Sequence, residues 1–220
     1  MARSKLAKFA AIGERENVIE PGDDRYGQLK GSWREHHFQN DNPLVLEVGC
    51  GRGEYTVGMA RLFPGKNFVG TDIKGERLWK GSTLAEEEEL ENVAFLRTFI
   101  EQLDENFAEN EVSEIWITFP DPRPRDRDIK RRLTSPRFLN LYRRILKPGG
   151  LIHLKTDNLG LYEYTLEVLQ ETKKEIKHLI HTPNLYQSDL QEHTMGIYTT
   201  YEKRYLAEGI PIKYLQLQFR

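Results

Sequence analysis

Residues 44–53 read L-V-L-E-V-G-C-G-R-G, and no other stretch constrains the fold as tightly. An apolar run of strand-forming residues meets an acid, Glu47, and enters a turn in which Gly49, Gly51 and Gly53 alternate. Residues 54–63 then follow with helical spacing. Strand, glycine turn and helix form the opening unit of a nucleotide-binding α/β sheet. The spacing also discriminates between ligands. A dinucleotide turn, G-x-G-x-x-G, needs its third glycine where this chain has Glu54. A carboxylate at Glu47 would repel a pyrophosphate and attract a cation. The plainer alternative is a turn that only tightens a strand–helix corner.

Residues 67–71 (N-F-V-G-T) read as a second strand that ends at Asp72, 19 residues beyond Gly53 (72 − 53). An acid at that tip is placed to accept hydrogen bonds from both hydroxyls of an adenosine ribose. Its alternative role is to cap the helix expected from Lys74. NAD enzymes use the same ribose device, so Asp72 does not name the cofactor. Glu47 does more. S-adenosylmethionine carries a sulfonium and an ammonium, and a carboxylate at the end of the first strand suits it. Glu47, the three glycines and Asp72 are therefore expected at a cofactor site, and an NAD-dependent dehydrogenase is disfavoured.

Further strands are expected at 93–97, 114–119 and 151–155, with helical patterns between them. One helix, 136–146, is closed by Lys147-Pro148-Gly149-Gly150. Two more strands are expected at 174–180 and 197–205, after a helix at 161–170. Alternating strands and helices predict an α/β, Rossmann-like fold: a mostly parallel seven-stranded sheet with helices on both faces. Ligands in such sheets bind at the carboxyl ends of the strands. Residues 1–42 read as an N-terminal basic extension, with Lys5, Lys8 and Phe9 in a short arm, and 43–220 as the domain. Trp33, His36, His37 and Phe38 are expected to pack on the domain edge.

Composition narrows the setting. A single cysteine, Cys50, excludes an internal disulfide framework and fits a reducing, cytoplasmic location. No apolar run is long enough to span a bilayer, the first residues lack the apolar core of a signal peptide, and no His/Cys spacing suggests a metal. The net charge of −2 hides an asymmetry. Residues 86–89 are all glutamate and read as a solvated face, whereas 123–144 hold nine Lys or Arg against Asp126 and Asp128. Such a patch points to a polyanionic partner.

The basic stretch begins just after F-P-D-P, residues 119–122. Two prolines hold Asp121 between rigid neighbours at the end of the fourth core strand, where ligands gather. Together, E-V-G-C-G-R-G (47–53), G-T-D-I (70–73), F-P-D-P, K-R-R-L-T (130–134), K-T-D-N (155–158) and a late T-x-Y-E (199–202) resemble the bacterial tRNA (guanine-N7)-methyltransferases. The resemblance covers about 44–220, with the motifs in the family's order. It implies a class I methyltransferase that moves a methyl group from S-adenosylmethionine to N7 of a guanine in the tRNA variable loop.

It further implies a catalytic Asp121, which also faces the cofactor with Glu47, Asp72 and Phe99. Substrate contacts are implied at Arg125, Asp157, Thr199, Tyr201 and Glu202. The chain departs from the family pattern at three positions. Arg123 replaces a usual tryptophan, Arg125 replaces a usual lysine, and Phe99 stands where many members carry an acid. The expected partner is tRNA, without a membrane, for a monomer or homodimer. Methylation of a small molecule or protein, and RNA binding without catalysis, are the rival readings. The basic segment argues against the first, and intact Glu47, Asp72 and Asp121 argue against the second.

Overall fold

The computed structural model describes Gly13 and residues 15–220. The arm residues Lys5, Lys8 and Phe9 lie outside the described residues. Eight strands form one sheet: β1 (Val18–Ile19), β2 (Leu44–Val48), β3 (Asn67–Asp72), β4 (Val93–Arg97), β5 (Val112–Thr118), β6 (Leu146–Thr156), β7 (Ile176–Thr182) and β8 (Lys213–Phe219). Their spatial order is β1-β4-β3-β2-β5-β6-β8-β7. Strands β1 to β6 pair in parallel, and β8 runs antiparallel between β6 and β7. The order reverses at β2, so the cleft at the carboxyl ends of β2 and β5 is the expected ligand position.

Helices α1 (Glu54–Leu62), α2 (Gly75–Glu87), α3 (Leu103–Asn106), α4 (Pro136–Ile145), α5 (Leu159–Glu171) and α6 (Thr200–Ala207), a π-helical turn at Trp33–His37 and short 3-10 turns complete the described regular structure. Two hydrophobic clusters cover the two faces of the sheet. One gathers Leu46, Val69, Leu96, Ile115, Tyr142 and Leu215; the other gathers Val45, Tyr55, Phe68, Phe95, Trp116 and Tyr214. The alternation Val45/Leu46 and Phe68/Val69 across the two clusters is the period of two that a strand imposes.

Two expectations are corrected. Residues 197–205 do not form a strand: Thr199 caps α6, its hydroxyl accepting from Glu202 N at 3.1 Å. A Thr-x-x-Glu spacing is a helix start. The final strand is instead β8, whose buried Lys213 and Gln216 interrupt the apolar reading of that segment. The sheet gains an eighth strand because Val18 and Ile19 pair with Phe95 and Leu96 on its edge. Behind that strand, Leu29, Trp33 and Phe38 enter the core, and the Trp33 indole N–H donates to Asn106 O at 2.8 Å.

Candidate active site

The glycine turn adopts the backbone that its sequence requires. Gly49, Gly51 and Gly53 all have positive φ, and Gly53 is the N-cap of α1. A side chain at Gly53 would also meet the Phe95 ring at 2.5 Å. The turn can therefore lie flat across the strand ends only with glycine at this position.

Asp72 fastens the turn. Its Oδ2 accepts from Gly51 N at 3.1 Å and its Oδ1 from Lys74 N at 2.9 Å. Lys74, not Asp72, is the N-cap of α2. Each Asp72 oxygen keeps a lone pair beyond its one backbone bond. Asp72 lines an open cleft of about 240 Å³ with Gly49, Thr98, Phe99, Arg123 and Leu133. Phe99 is 57% exposed there and presents a flat ring at the end of β4.

A second, smaller cleft of about 70 Å³ adjoins the first at Gly49, which lines both. Its walls are the glycine turn, Phe119 and the segment Thr199, Thr200 and Tyr201. Thr199 and Tyr201, expected to contact substrate, line this cleft, and so do Glu54, Arg52 and Arg77, which were not among the expected site residues. The Glu54 carboxylate accepts from Thr200 N at 2.7 Å and from the Thr200 hydroxyl. The residue that replaces the dinucleotide glycine thus fastens α1 to α6. No short-range signal marks that contact, because its partners are 146 residues apart.

Glu47 lies beneath the turn, 1% exposed. Its Oε2 accepts from Thr56 N at 2.8 Å and from the Thr56 hydroxyl, and its Oε1 from the Thr118 hydroxyl at 2.5 Å. Burial pushes its carboxyl up to about 7, against the pull of the three donors. It ties β2 to α1 and β5 and lines neither cleft, so its place is under the turn and not in contact with the open space.

Asp121 is exposed, on the loop between Phe119, which lines the smaller cleft, and Arg123, which lines the larger. Phe119 and Arg123 on either side both have φ in the left-handed region, which is uncommon outside glycine. Arg123 holds the acid twice: its backbone N–H donates to Oδ1 at 3.1 Å, and its Nε lies 3.2 Å from Oδ2. Asp157 follows β6, half-buried, and its carbonyl accepts from Lys213 Nζ at 2.8 Å. The cap of α5 is Asn158, which accepts from Leu161 N at 2.8 Å, so the carboxylate of Asp157 is not used for capping.

The structure places two further candidate residues away from the open cleft. Glu202 is 0% exposed, with its carboxylate 2.8 Å from Lys155 Nζ and accepting from the Tyr186 hydroxyl at 2.5 Å. Burial lowers the Lys155 ammonium from its ordinary range. Arg125 is exposed and pairs with Asp128 at 2.9 Å. The acidic run 86–89 meets Arg15 and Arg61, not the basic segment. No group of three metal-ligating side chains occurs among the described residues.

The fold and this site define a class I methyltransferase. A solved 16S rRNA methyltransferase, KamB, superposes with a TM-score of 0.63 at 18% identity, over 86% of this chain and 93% of that one. A 30S ribosomal A1408 methyltransferase from an uncultured bacterium gives 0.56 at 16% identity, over 81% and 88%.

The family is narrower. Residues 41–215 match a family described as "Putative methyltransferase". The chain is 52% identical to a tRNA (guanine-N(7)-)-methyltransferase of Cytophaga hutchinsonii, covering 100% of this chain and 99% of that one. It is 46% identical to the protein of that name from Christiangramia forsetii (100% and 99%) and 35% identical to that from Listeria monocytogenes (99% and 95%). The chain belongs to the tRNA (guanine-N7)-methyltransferase family.

Proposed function

We propose that this enzyme transfers a methyl group from S-adenosylmethionine to N7 of a guanine in the variable loop of tRNA, in the cytoplasm. The observation that carries the reading is the pair of adjoining clefts. One is lined by Asp72 and Phe99, the other by Thr199 and Tyr201, and the exposed Asp121 lies on the loop between Phe119, which lines the second, and Arg123, which lines the first.

The residues fit the cofactor. Asp72 has acceptor capacity for two ribose hydroxyls, Phe99 a face for adenine, and Glu47 a buried carboxyl under the turn that a nearby cation would keep ionised. When bound, S-adenosylmethionine supplies an electrophilic methyl group. N7 of guanine has a free in-plane lone pair, so no residue need remove a proton before transfer. Positive charge develops on the purine as the bond forms. Asp121, held by Arg123, is placed to accept from the guanine N–H groups and to stabilise that charge. Asp157 offers a second acceptor for the guanine edge, and Thr199 and Tyr201 form the rim. Glu202 serves from below by holding the rim through Lys155 and Tyr186.

Incubation of the protein with unmodified tRNA and labelled methyl donor, followed by nucleoside analysis, tests the reading. The expected product is 7-methylguanosine, lost when the variable-loop guanine is replaced. Label in another nucleoside, or none with active cofactor binding, overturns it.

A further inference from the structure

The basic run that the sequence singles out is largely engaged with its own neighbours. Arg123 is held by Asp121, and Arg125 and Arg131 both face Asp128. Arg132 donates to Arg123 O at 3.2 Å and lies over the Tyr164 ring at 4.4 Å. A new anion must compete with those partners. In the smaller cleft, Arg52 and Arg77 line the space together with Thr200 and Tyr201. Among the described residues, neither guanidinium has an ion-pair, hydrogen-bond or aromatic partner.

We propose that Arg52 and Arg77 form an anion site that takes a backbone phosphate of the RNA beside the target nucleotide. Arg52 projects from the glycine turn and is exposed; Arg77 rises from the first turn of α2 and is half-buried. Two unpaired guanidinium-bearing residues from separate elements line one small cleft, a pairing that suits a phosphate group. The carboxylate facing that space, Glu54, is already engaged by Thr200. Tyr201, 50% exposed on the rim, offers a ring face next to the phosphate. The RNA is thereby held from both sides of the cleft: by the exposed cations of 123–132 and by this pair.

The inference rests on tRNA being the substrate, and the test separates the two. Binding of unmodified tRNA is measured against salt for the wild type, for Arg52→Gln/Arg77→Gln and for Arg52→Lys/Arg77→Lys. Affinity for S-adenosylmethionine is measured without RNA, and the melting transition checks folding. The glutamine pair is expected to weaken tRNA on the order of tenfold and to flatten the log–log salt slope by about 0.7–0.9, the loss of one phosphate contact. The lysine pair is expected to keep the slope, and cofactor affinity is expected to stay within about twofold in both. A folded glutamine variant with wild-type tRNA affinity and slope overturns the site. So does a tenfold loss of cofactor affinity, which would assign the guanidinium pair to the cofactor's own carboxylate. If the glutamine pair does not fold, the single variants Arg52→Gln and Arg77→Gln are read in the same way, and folded singles that both keep wild-type affinity and slope overturn it. Failure of the wild type to methylate tRNA would sink the functional reading instead, and is read in the same preparation.

Discussion

Glu202→Gln should unfold this enzyme more readily before it changes any contact with substrate. Lys155 Nζ lies 2.8 Å from Glu202 Oε1 and 2.9 Å from Oε2, and both side chains are 0% exposed. Apart from that carboxylate, the ammonium faces the rings of Tyr55 at 5.0 Å and Phe119 at 6.0 Å and the carbonyl of Ile197 at 3.4 Å. Removing the negative charge leaves a buried cation without its counter-ion, which costs about 3–5 kcal/mol. For a chain of this size that lowers the melting temperature by roughly 6–20 °C. Denaturant titration should show a lower midpoint with an unchanged slope. The deficit should also depend on pH. Burial lowers the Lys155 pKa in the folded state, and losing Glu202 lowers it further. The unfolded chain then binds more protons than the folded one in the window between that lowered value and the ordinary lysine value. The variant's stability therefore rises relative to wild type as pH climbs through the window. Lys155→Met/Glu202→Leu, which removes both charges, should recover much of the loss. A Glu202→Gln protein with the wild-type midpoint and a selective loss of turnover would refute this reasoning and make Glu202 a direct substrate contact.

Cofactor binding near pH 7 should release up to about half a proton, because Glu47 titrates at about 7 and a neighbouring cation favours its ionised form. Calorimetry in buffers of different ionisation enthalpy measures this; a buffer-independent wild type, or release retained in Glu47→Gln, would contradict it. Asp121→Ala should lower turnover by roughly 100-fold or more while cofactor affinity stays within about tenfold, as single-turnover kinetics and calorimetry would report. Asp72→Asn should weaken the cofactor by about 1.5–3 kcal/mol, and unchanged affinity would leave Asp72 only the task of fastening the glycine turn. Glu54→Ala should speed amide exchange at Thr200 and raise the Michaelis constant for tRNA roughly three- to tenfold without changing cofactor affinity. Unaltered exchange would show that the contact with α6 carries no load.

The parallel half of the sheet was legible because its signals are local. The run 44–48 and the acid–glycine turn carry their own geometry, and β3, β4 and α4 are bounded by Asp72, Arg97 and the stop at 147–150. The antiparallel end was not. Thr199-Thr200-Tyr201-Glu202 is rich in strand-forming residues, yet Thr199 and Glu202 are spaced as a helix cap, and that local bond prevailed. Strand β8 contains Lys213 and Gln216, which look like surface residues. Lys213 is satisfied by the carbonyls of Asp157 and Pro211, which only the folded chain brings near. Strand β1 is two residues long and depends on a neighbour 77 positions away, Val18 to Phe95. A sequence pattern holds no trace of such a pairing.

The same limit governs the charged residues, and there it changes the chemistry. A run of arginines reads as a phosphate-seeking face, but a guanidinium is available only to the extent that its own fold leaves it unpaired. Asp128 engages Arg125 and Arg131, and Asp121 engages Arg123, so counting cations along 123–144 overstates the free charge at that wall. Arg143 and Arg144, at the end of α4, pair with Glu175 and Asp104. Arg52 stood within the motif read first, where it passed as the variable residue between two glycines. The turn has glycine on both sides of Arg52, which is exposed and lines the small cleft. The turn proposed to hold the cofactor is thus also the one that carries Arg52 at the small cleft.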